Sequence, residues 1–168
     1  MKLAIALPVA TLALLAAASP SHALRVTAQA AAVCQGALPA FETRIRKRPL
    51  AVQNEGTAAA FVTCALNNTG NSGGTSRISQ ATIYLINNNT GSRTLSCTGV
   101  SASASTDPDA LYATKSVQVA GNSDGTALTF TAEDFPGESF ALTGDSFSVS
   151  CSIDPGTGIG GTVLLNNA

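Results

Sequence analysis

The chain of 168 residues has no tryptophan and a single histidine, His22. Imidazole is the side chain that most often moves protons near neutral pH and activates a serine or cysteine nucleophile. After residue 23 a Ser-His-Asp site is therefore excluded, and Ser-Lys chemistry has only Lys47 and Lys115 to use. The composition argues against an enzyme that depends on an activated nucleophile.

Charged residues make up only 11% of the chain, and the motifs that bind common cofactors are missing. No two cysteines form a C-x-x-C element, so a zinc site lacks its usual ligand spacing. No glycine-rich loop is followed by Lys and Ser or Thr, and no βαβ unit supports a dinucleotide. We expect no cofactor and no metal.

The first 23 residues have the layout of a secretory leader. Met1-Lys2 gives a positive start, an apolar run covers residues 3–18, and Ser21-His22-Ala23 provides the small-x-small pattern at which signal peptidase cleaves. The apolar run is too short for a stable membrane anchor. We expect residues 1–23 to be removed and residues 24–168 to form one domain, secreted or periplasmic.

The charges are distributed unevenly along this domain. Residues 24–93 carry seven basic and two acidic side chains, whereas residues 94–168 carry one basic and eight acidic. Because the two halves nearly cancel, the domain has no strong attraction for nucleic acid or anionic membranes. Either oppositely charged segments lie beside each other in the fold, or a polarised surface promotes head-to-tail contact between copies.

The domain contains four cysteines: Cys34, Cys64, Cys97 and Cys151. An even number in an exported chain favours disulfides, and three pairings are open. Cys64 and Cys151 each belong to a row of apolar residues at alternate positions, so both side chains are expected to point inward. We favour the pairs Cys34–Cys64 and Cys97–Cys151. In the chain-entropy model, loops of about 30 and 54 residues would contribute about 3.6 and 4.2 kcal/mol. We expect these disulfides to hold two thin facing layers together.

Residues 146–153 give the clearest strand, because four serines alternate with Phe147, Val149, Cys151 and Ile153. This period of two is typical of a strand with one buried face and a small polar outer face. The other predicted strands are residues 26–32, 41–46, 58–66, 78–86, 94–99, 111–119, 127–132, 140–143 and 162–165. Turn-forming clusters separate them, including residues 67–76, 87–92, 106–109, 121–125 and 154–161.

Many short strands with frequent turns, and no helical stripe over three turns, predict an all-β chain. We expect an antiparallel β-sandwich of the immunoglobulin-like or jelly-roll-like type. The C-terminal segment Val163-Leu164-Leu165 is interpreted as the last strand rather than as a strand donated to a partner.

Two of the predicted strands share a pattern: Ala60-Phe61-Val62-Thr63-Cys64 and Phe147-Ser148-Val149-Ser150-Cys151-Ser152-Ile153-Asp154-Pro155. One cysteine ends an early V-x-C strand, and another lies in a late strand followed by proline. In these strands the chain resembles small exported bacterial proteins of unknown activity. The resemblance implies a β-sandwich with two disulfides; it implies no activity and no site residues.

The segment Arg44-Ile45-Arg46-Lys47-Arg48 is the one concentrated group of charges. On an extended strand Arg44, Arg46 and Arg48 share a face at intervals of about 6.6 Å. That pitch suits an anionic polysaccharide, a lipopolysaccharide phosphate or nucleic acid, although no aromatic residue interleaves for base stacking. The other interpretation is an edge strand protected by charge and ended by Pro49.

The acidic residues Glu133, Asp134 and Glu138 flank the turn Phe135-Pro136-Gly137. A glycosidase needs two carboxylates facing each other across a sugar, one with a raised pKa. The turn is expected to expose all three to water instead. Aromatic platforms for a sugar are also few, since Tyr84 and Tyr112 are the only tyrosines.

Two segments offer oxygen ligands to calcium: Asp107-Pro108-Asp109 and Asn122-Ser123-Asp124-Gly125. Neither has the length or the final bidentate glutamate of an EF-hand loop. Turn formation explains both segments, so no metal site is predicted from them.

We therefore expect an exported non-enzymatic protein with a structural or interaction role in the cell envelope or outside the cell. The alternative is a module or adhesin that binds a glycan or an anionic polymer, with Arg44, Arg46 and Arg48 as the first residues to test. A hydrolase that uses carboxylates alone is a further alternative. The expected partner is an envelope polysaccharide or another envelope protein, with no nucleic acid and no membrane span.

Overall fold

Two antiparallel sheets pack face to face, which confirms the predicted all-β sandwich. The structure, a computed structural model, describes residues 24–67, 78–102, 110–137 and 146–166. The predicted leader, Asp107-Pro108-Asp109, Glu138 and the strand expected at residues 140–143 lie outside the described residues. None of the helices within the described ranges has the length and hydropathy needed to span a membrane.

The elements are short and follow one another closely along the chain. A 3-10 turn, Ala132–Asp134, comes directly after the strand that ends at Thr131. In chain order the others are β1 (Leu24–Gln29), α1 (Ala30–Val33), β2 (Cys34–Gly36), α2 (Pro39–Glu42), β3 (Ile45–Lys47), β4 (Val52–Asn54), β5 (Ala60–Asn67), β6 (Ile78–Asn87), β7 (Arg93–Ala102), β8 (Leu111–Val119), β9 (Ser123–Thr131), β10 (Ser146–Ile153) and β11 (Thr157–Asn166).

Each sheet has its own strand order. Sheet A has the order β3-β4-β11-β6-β9, and β1 also pairs with β11. Both β1 and β4 lie on the same side of β11, where β4 pairs with Gly158 and Ile159 and β1 pairs with the six residues from Gly161 to Asn166. Sheet B has the order β2-β5-β10-β7-β8. The segment Val163-Leu164-Leu165 thus belongs to a central strand of sheet A, which confirms its interpretation as the last strand.

Three phenylalanines join the sheets in the core. The ring of Phe147, from β10 in sheet B, lies 5.7 Å from that of Phe130, from β9 in sheet A, and 6.1 Å from that of Phe135. Gly99 on β7 faces this cluster, and a Cβ there would lie 2.8 Å from the Phe147 ring. The few aromatic residues therefore fill the space between the layers, and a glycine makes room for them.

The disulfides join Cys34 to Cys64 and Cys97 to Cys151, the two pairs favoured from the sequence. The expectation that they hold facing layers together is wrong. Cys34 lies directly opposite Cys64 in the β2–β5 ladder, and Cys97 lies directly opposite Cys151 in the β7–β10 ladder. Each bridge therefore links neighbouring strands within sheet B, and neither disulfide joins the two sheets.

Two predicted strands contain a helical turn. The segment 26–32 forms a strand only as far as Gln29, after which the alanine run forms α1. The segment 41–46 begins inside α2, which has Pro39 in its first turn, where the fixed φ of proline suits a helix. The sequence pattern also missed the three-residue strands β2 and β4, because so short a segment carries too little alternation to be seen.

The glycine-rich segment 154–161 is not one long turn. Only its first residues turn, and β11 already begins at Thr157. A Cβ at Gly158 would overlap the carbonyl oxygen of Val52, so glycine lets β4 approach β11 closely. In the same way, the cluster at residues 121–125 turns only before Ser123, where β9 begins.

Candidate functional site

A cleft of about 420 Å³ opens on the face of sheet A that is turned away from sheet B. Tyr84 and Ile86 of β6 and Gly160 and Gly161 of β11 lie at its centre. Its volume falls within the range of small-molecule sites. The sequence predicted no site at this place.

The floor of the cleft depends on a break in the ladder between β11 and β6. Ile159 pairs with Leu85 and Gly161 pairs with Tyr84, so Gly160 is an extra residue that forms a β-bulge. Gly160 also lies at the gap between β4 and β1 along the same side of β11. Since neither glycine has a side chain, the surface of the sheet is hollow here.

A second bulge forms one wall of the cleft, where β9 begins. Leu85 pairs with Thr126 and Asn87 with Ser123, so Asp124 and Gly125 together oppose Ile86. A positive φ of 54° at Asn122 turns the chain into this strand. The bulge thus places Asp124 at the rim of the cleft and Gly125 against the side chain of Tyr84.

Asn87, which is buried, and Asn89, which is half-buried, fix the loop after β6. This loop carries Asn88, which lines the cleft. The Asn87 amide donates to the carbonyl oxygens of Gly91, Val119 and Ala120 at 2.9–3.2 Å, and its oxygen accepts two bonds from Asn89. Asn89 in turn donates to the carbonyl oxygen of Pro155 at 2.9 Å. Because these bonds tie the loop to its neighbours, Asn88 is held on a rigid support.

The opposite wall comes from the hairpin between β3 and β4. Reciprocal backbone bonds between Arg48 and Ala51, at 2.7 and 3.3 Å, close this hairpin. Its tip brings Leu50, which is 65% exposed, to the edge of the cleft beside Gln53. Gln29, the last residue of β1, completes the rim.

The polar side chains around the cleft are available to a ligand. Within the described chain, Gln29, Gln53, Asn88 and Asp124 make no side-chain hydrogen bond or ion pair. The three amides can both donate and accept, and the carboxylate of Asp124 can only accept. Among the described residues that line the cleft, Asp124 is the only charged one. The site therefore offers a tyrosine, apolar contacts and several free hydrogen-bonding groups, without a pair of carboxylates.

The arginine segment is arranged differently from the prediction. Arg44 lies in the turn before β3, so the three arginines do not share one strand. Its Nη1 donates to the carbonyl oxygen of Ala59 at 3.0 Å, and its guanidinium lies 6.0 Å from the ring centre of Phe41. Arg46 and Arg48 both pair with one carboxylate, that of Glu55. Since β3 is the edge strand of sheet A, charge protection of an edge is the interpretation that agrees with this placement.

The expectation that the turn exposes its acidic residues to water is wrong for Asp134. Asp134 is not free in water but accepts hydrogen bonds from Lys115 Nζ at 2.8 Å and from the Thr131 backbone at 2.8 Å. Lys115 also donates to the carbonyl oxygen of Thr129. Because Lys115 belongs to sheet B and the other residues follow or belong to β9, this network ties the sheets together at one edge. Glu133 is exposed beside it.

Partial burial raises the pKa of Asp134, but the hydrogen bonds from Lys115 and Thr131 and the positive charge of Lys115 outweigh it, so the pKa is lowered. A lowered pKa keeps this carboxyl ionised, which is the opposite of what a general acid needs. Among the described residues, no group of three or more His, Cys, Asp or Glu side chains is arranged to hold a metal ion.

The lowered pKa of Asp134 predicts a pH-dependent stability. Its contribution is present above the ordinary aspartate pKa of about 3.9 and is lost as the pH falls through the lower folded-state pKa. We expect Asp134→Asn to lower the free energy of unfolding by about 1–2 kcal/mol at pH 7 and by much less at pH 2.5. Urea unfolding of the wild type and of Glu133→Gln as the control checks this. Equal losses at both pH values would contradict it.

The described ion pairs lie within each half of the domain rather than between the two halves. In the part of the chain that the structure describes, the basic residues Arg46 and Arg48 pair with Glu55, and Lys115 pairs with Asp134. Each pair thus joins residues from the same half of the domain. The oppositely charged halves are not joined through these contacts.

No family model matches the chain, and no curated protein matches it. Among solved structures, the chain is similar to the carbohydrate-binding module TmCBM61 in complex with β-1,4-galactotriose. The two are 5% identical, the alignment covers 85% of this chain and 84% of that one, and the TM-score is 0.35. At that TM-score the likeness supports no conclusion about function.

Proposed function

We propose that this protein is an exported, non-enzymatic binding module that recognises a neutral glycan in the cleft of sheet A. The observation that carries the proposal is the set of uncommitted polar side chains around Tyr84. Amide groups and a carboxylate match the alternating donors and acceptors of sugar hydroxyls, and the apolar surfaces of Tyr84 and Leu50 suit a sugar ring. The two disulfides agree with an oxidising compartment such as the periplasm or the extracellular space.

The charge of the cleft favours a neutral ligand over an anionic one. Asp124 would repel a carboxylate, sulfate or phosphate, and none of the described residues that line the cleft is basic. The single carboxylate also favours binding over hydrolysis, which needs two. The arginines that could attract an anionic polymer are held by Ala59, Phe41 and Glu55 instead.

A glycan array followed by calorimetry on the strongest neutral ligand tests the proposal. We expect Asp124→Ala to weaken binding by about tenfold or more, because a hydrogen bond to a charged group contributes about 1.5–3 kcal/mol. Gly125→Leu should abolish binding, since a Cβ at Gly125 meets only the side chain of Tyr84 and the new side chain can fill the cleft.

Thr27→Ala is the matched control, because Thr27 is an exposed residue of sheet A that does not line the cleft. Its affinity should equal that of the wild type. Two results would contradict the proposal: no neutral glycan bound by the wild type, or equal binding by Gly125→Leu. Retention on heparin at low salt that disappears when Arg44, Arg46 and Arg48 become serine would favour the anionic-polymer alternative.

A further inference from the structure

The outer face of sheet B carries no charged side chain at any described position. Along its five strands the outward residues are serine, threonine, glutamine, alanine, valine, phenylalanine and tyrosine. Lys115 follows the inward alternation of β8, and Arg93 lies at the end of β7 on the inward alternation. Charged residues make up about 25% of a typical globular domain and 11% of this chain, so the described positions of this face are poorer in charge than either fraction.

Hydroxyl groups cross this face in register. Thr63, Ser150, Thr98 and Thr114 lie directly opposite one another on β5, β10, β7 and β8. Thr63 donates to Ser150 at 3.2 Å, and the hydroxyls of Thr98 and Thr114 are 2.8 Å apart. Neighbouring strands lie about 4.8 Å apart, so the row repeats at a distance close to one sugar ring in an extended polysaccharide.

Exposed aromatic rings stand on both sides of the hydroxyl row. Phe61 on β5 is 47% exposed and Tyr112 on β8 is 63% exposed, and no other described aromatic residue is as exposed as these two. Their strands are three intervals apart, which is about 14 Å across the sheet. Phe61 is in register with Ser116, four residues from Tyr112 on β8, so the two rings lie diagonally across the row. An apolar ring surface at each end and hydroxyls between them suit a ligand that is longer than one sugar.

We propose that this face is a second docking surface, for an extended neutral polysaccharide chain that crosses the strands of sheet B. A charged polymer would find no counter-charge here, whereas a hydroxylated chain meets matching donors and acceptors at a regular spacing. The surface lies on the opposite side of the sandwich from the cleft in sheet A, and it is proposed independently of that site.

Two other occupants fit the face less well. A second copy of the chain would need an interface core rich in aromatic residues and poor in serine, whereas serine and threonine dominate here. A flat crystalline lattice such as ice would need an untwisted surface, whereas adjacent strands rotate by about 20–25°. A flexible polysaccharide chain can follow that twist.

Sedimentation of the purified protein with amorphous cellulose, colloidal chitin and insoluble β-1,3-glucan, whose chains are not held in a flat crystal face, tests this proposal. We expect retention on at least one of the three. Thr98→Asp and Ser150→Asp should each reduce the bound fraction at least about tenfold, because a charge at the centre of the face would lose its water without gaining a partner. Tyr112→Ala, at a position too exposed to affect folding, should reduce it about fivefold.

Thr27→Asp is the matched control, since it places the same charge on an exposed strand threonine of sheet A. It should bind as the wild type does. Retention that Gly125→Leu abolishes and Thr98→Asp leaves intact would place the polymer in the cleft of sheet A and overturn this inference. The inference is overturned if the wild type is not retained on any of the three polymers, or if Thr98→Asp and Tyr112→Ala are retained fully. It is also overturned if light scattering shows a dimer that Thr98→Asp dissociates, which would make a second copy the partner.

Discussion

Replacing Phe147 by alanine should lower the free energy of unfolding by about 3–5 kcal/mol. The ring is 1% exposed and contacts Phe130 and Phe135, which come from the other sheet and from the segment after β9. Because no disulfide crosses between the sheets, this cluster supplies much of what holds them together. Such a loss is large beside a typical stability of about 5–15 kcal/mol.

Phe61→Ala is the control for this experiment. Phe61 is 47% exposed on the outer face of sheet B and has one ring contact, with Phe41 at 5.8 Å. Its loss should cost less than about 1.5 kcal/mol, because little buried area is removed. Urea unfolding followed by circular dichroism measures both variants. Similar losses for the two positions would mean that the Phe147 cluster does not carry the contact between the sheets.

Removing the Cys97–Cys151 bridge should destabilise the whole domain by up to about 4 kcal/mol, because it closes a loop of about 54 residues in the unfolded chain. Its sulfurs join the central strands β7 and β10, which have a partner on their other side as well. The double alanine variant should therefore retain the native sheet and unfold at a lower urea concentration.

The Cys34–Cys64 bridge should behave differently when it is removed. It holds β2, which has only three residues paired with β5 at the edge of sheet B. We expect hydrogen exchange to accelerate selectively in β2 in the Cys34→Ala/Cys64→Ala variant, while the Cys97→Ala/Cys151→Ala variant shows a uniform loss of protection. An identical exchange pattern in the two variants would contradict the distinct roles of the bridges.

The alternation of apolar and polar residues along the strands gave the most accurate predictions. Residues 146–153 and 111–119 were predicted with the bounds that the structure has. The first segment alternates strictly between apolar residues and serine, and the second does so less strictly, with Tyr112 outward and Lys115 inward. The same alternation predicted that the side chains of Cys64 and Cys151 point inward, and both are buried. It failed for residues 41–46, because Pro39 begins a helical turn whose stability comes from local backbone geometry rather than from a period of two.

The cleft could not be predicted in the same way. Tyr84 and Asp124 were both noted, one as an aromatic platform and the other within a calcium-like turn, but they are 40 positions apart in the sequence. Two bulges bring them together, and each bulge depends on how one strand registers against another. The glycine pair at 160–161 was the one available signal, because glycine inside a strand often marks a bulge.

The amino-acid sequence predicts the class of fold and which side of each strand meets water, because these depend on side chains that alternate within a few residues. It also limited the chemistry, since no histidine follows residue 23. The tertiary structure alone decided that the disulfides lie within one sheet, that a hollow forms beside Gly160, and that hydroxyls from four strands line up into rows. Those features arise from the pairing of distant strands, and a shift of one residue in register would turn every outward side chain inward.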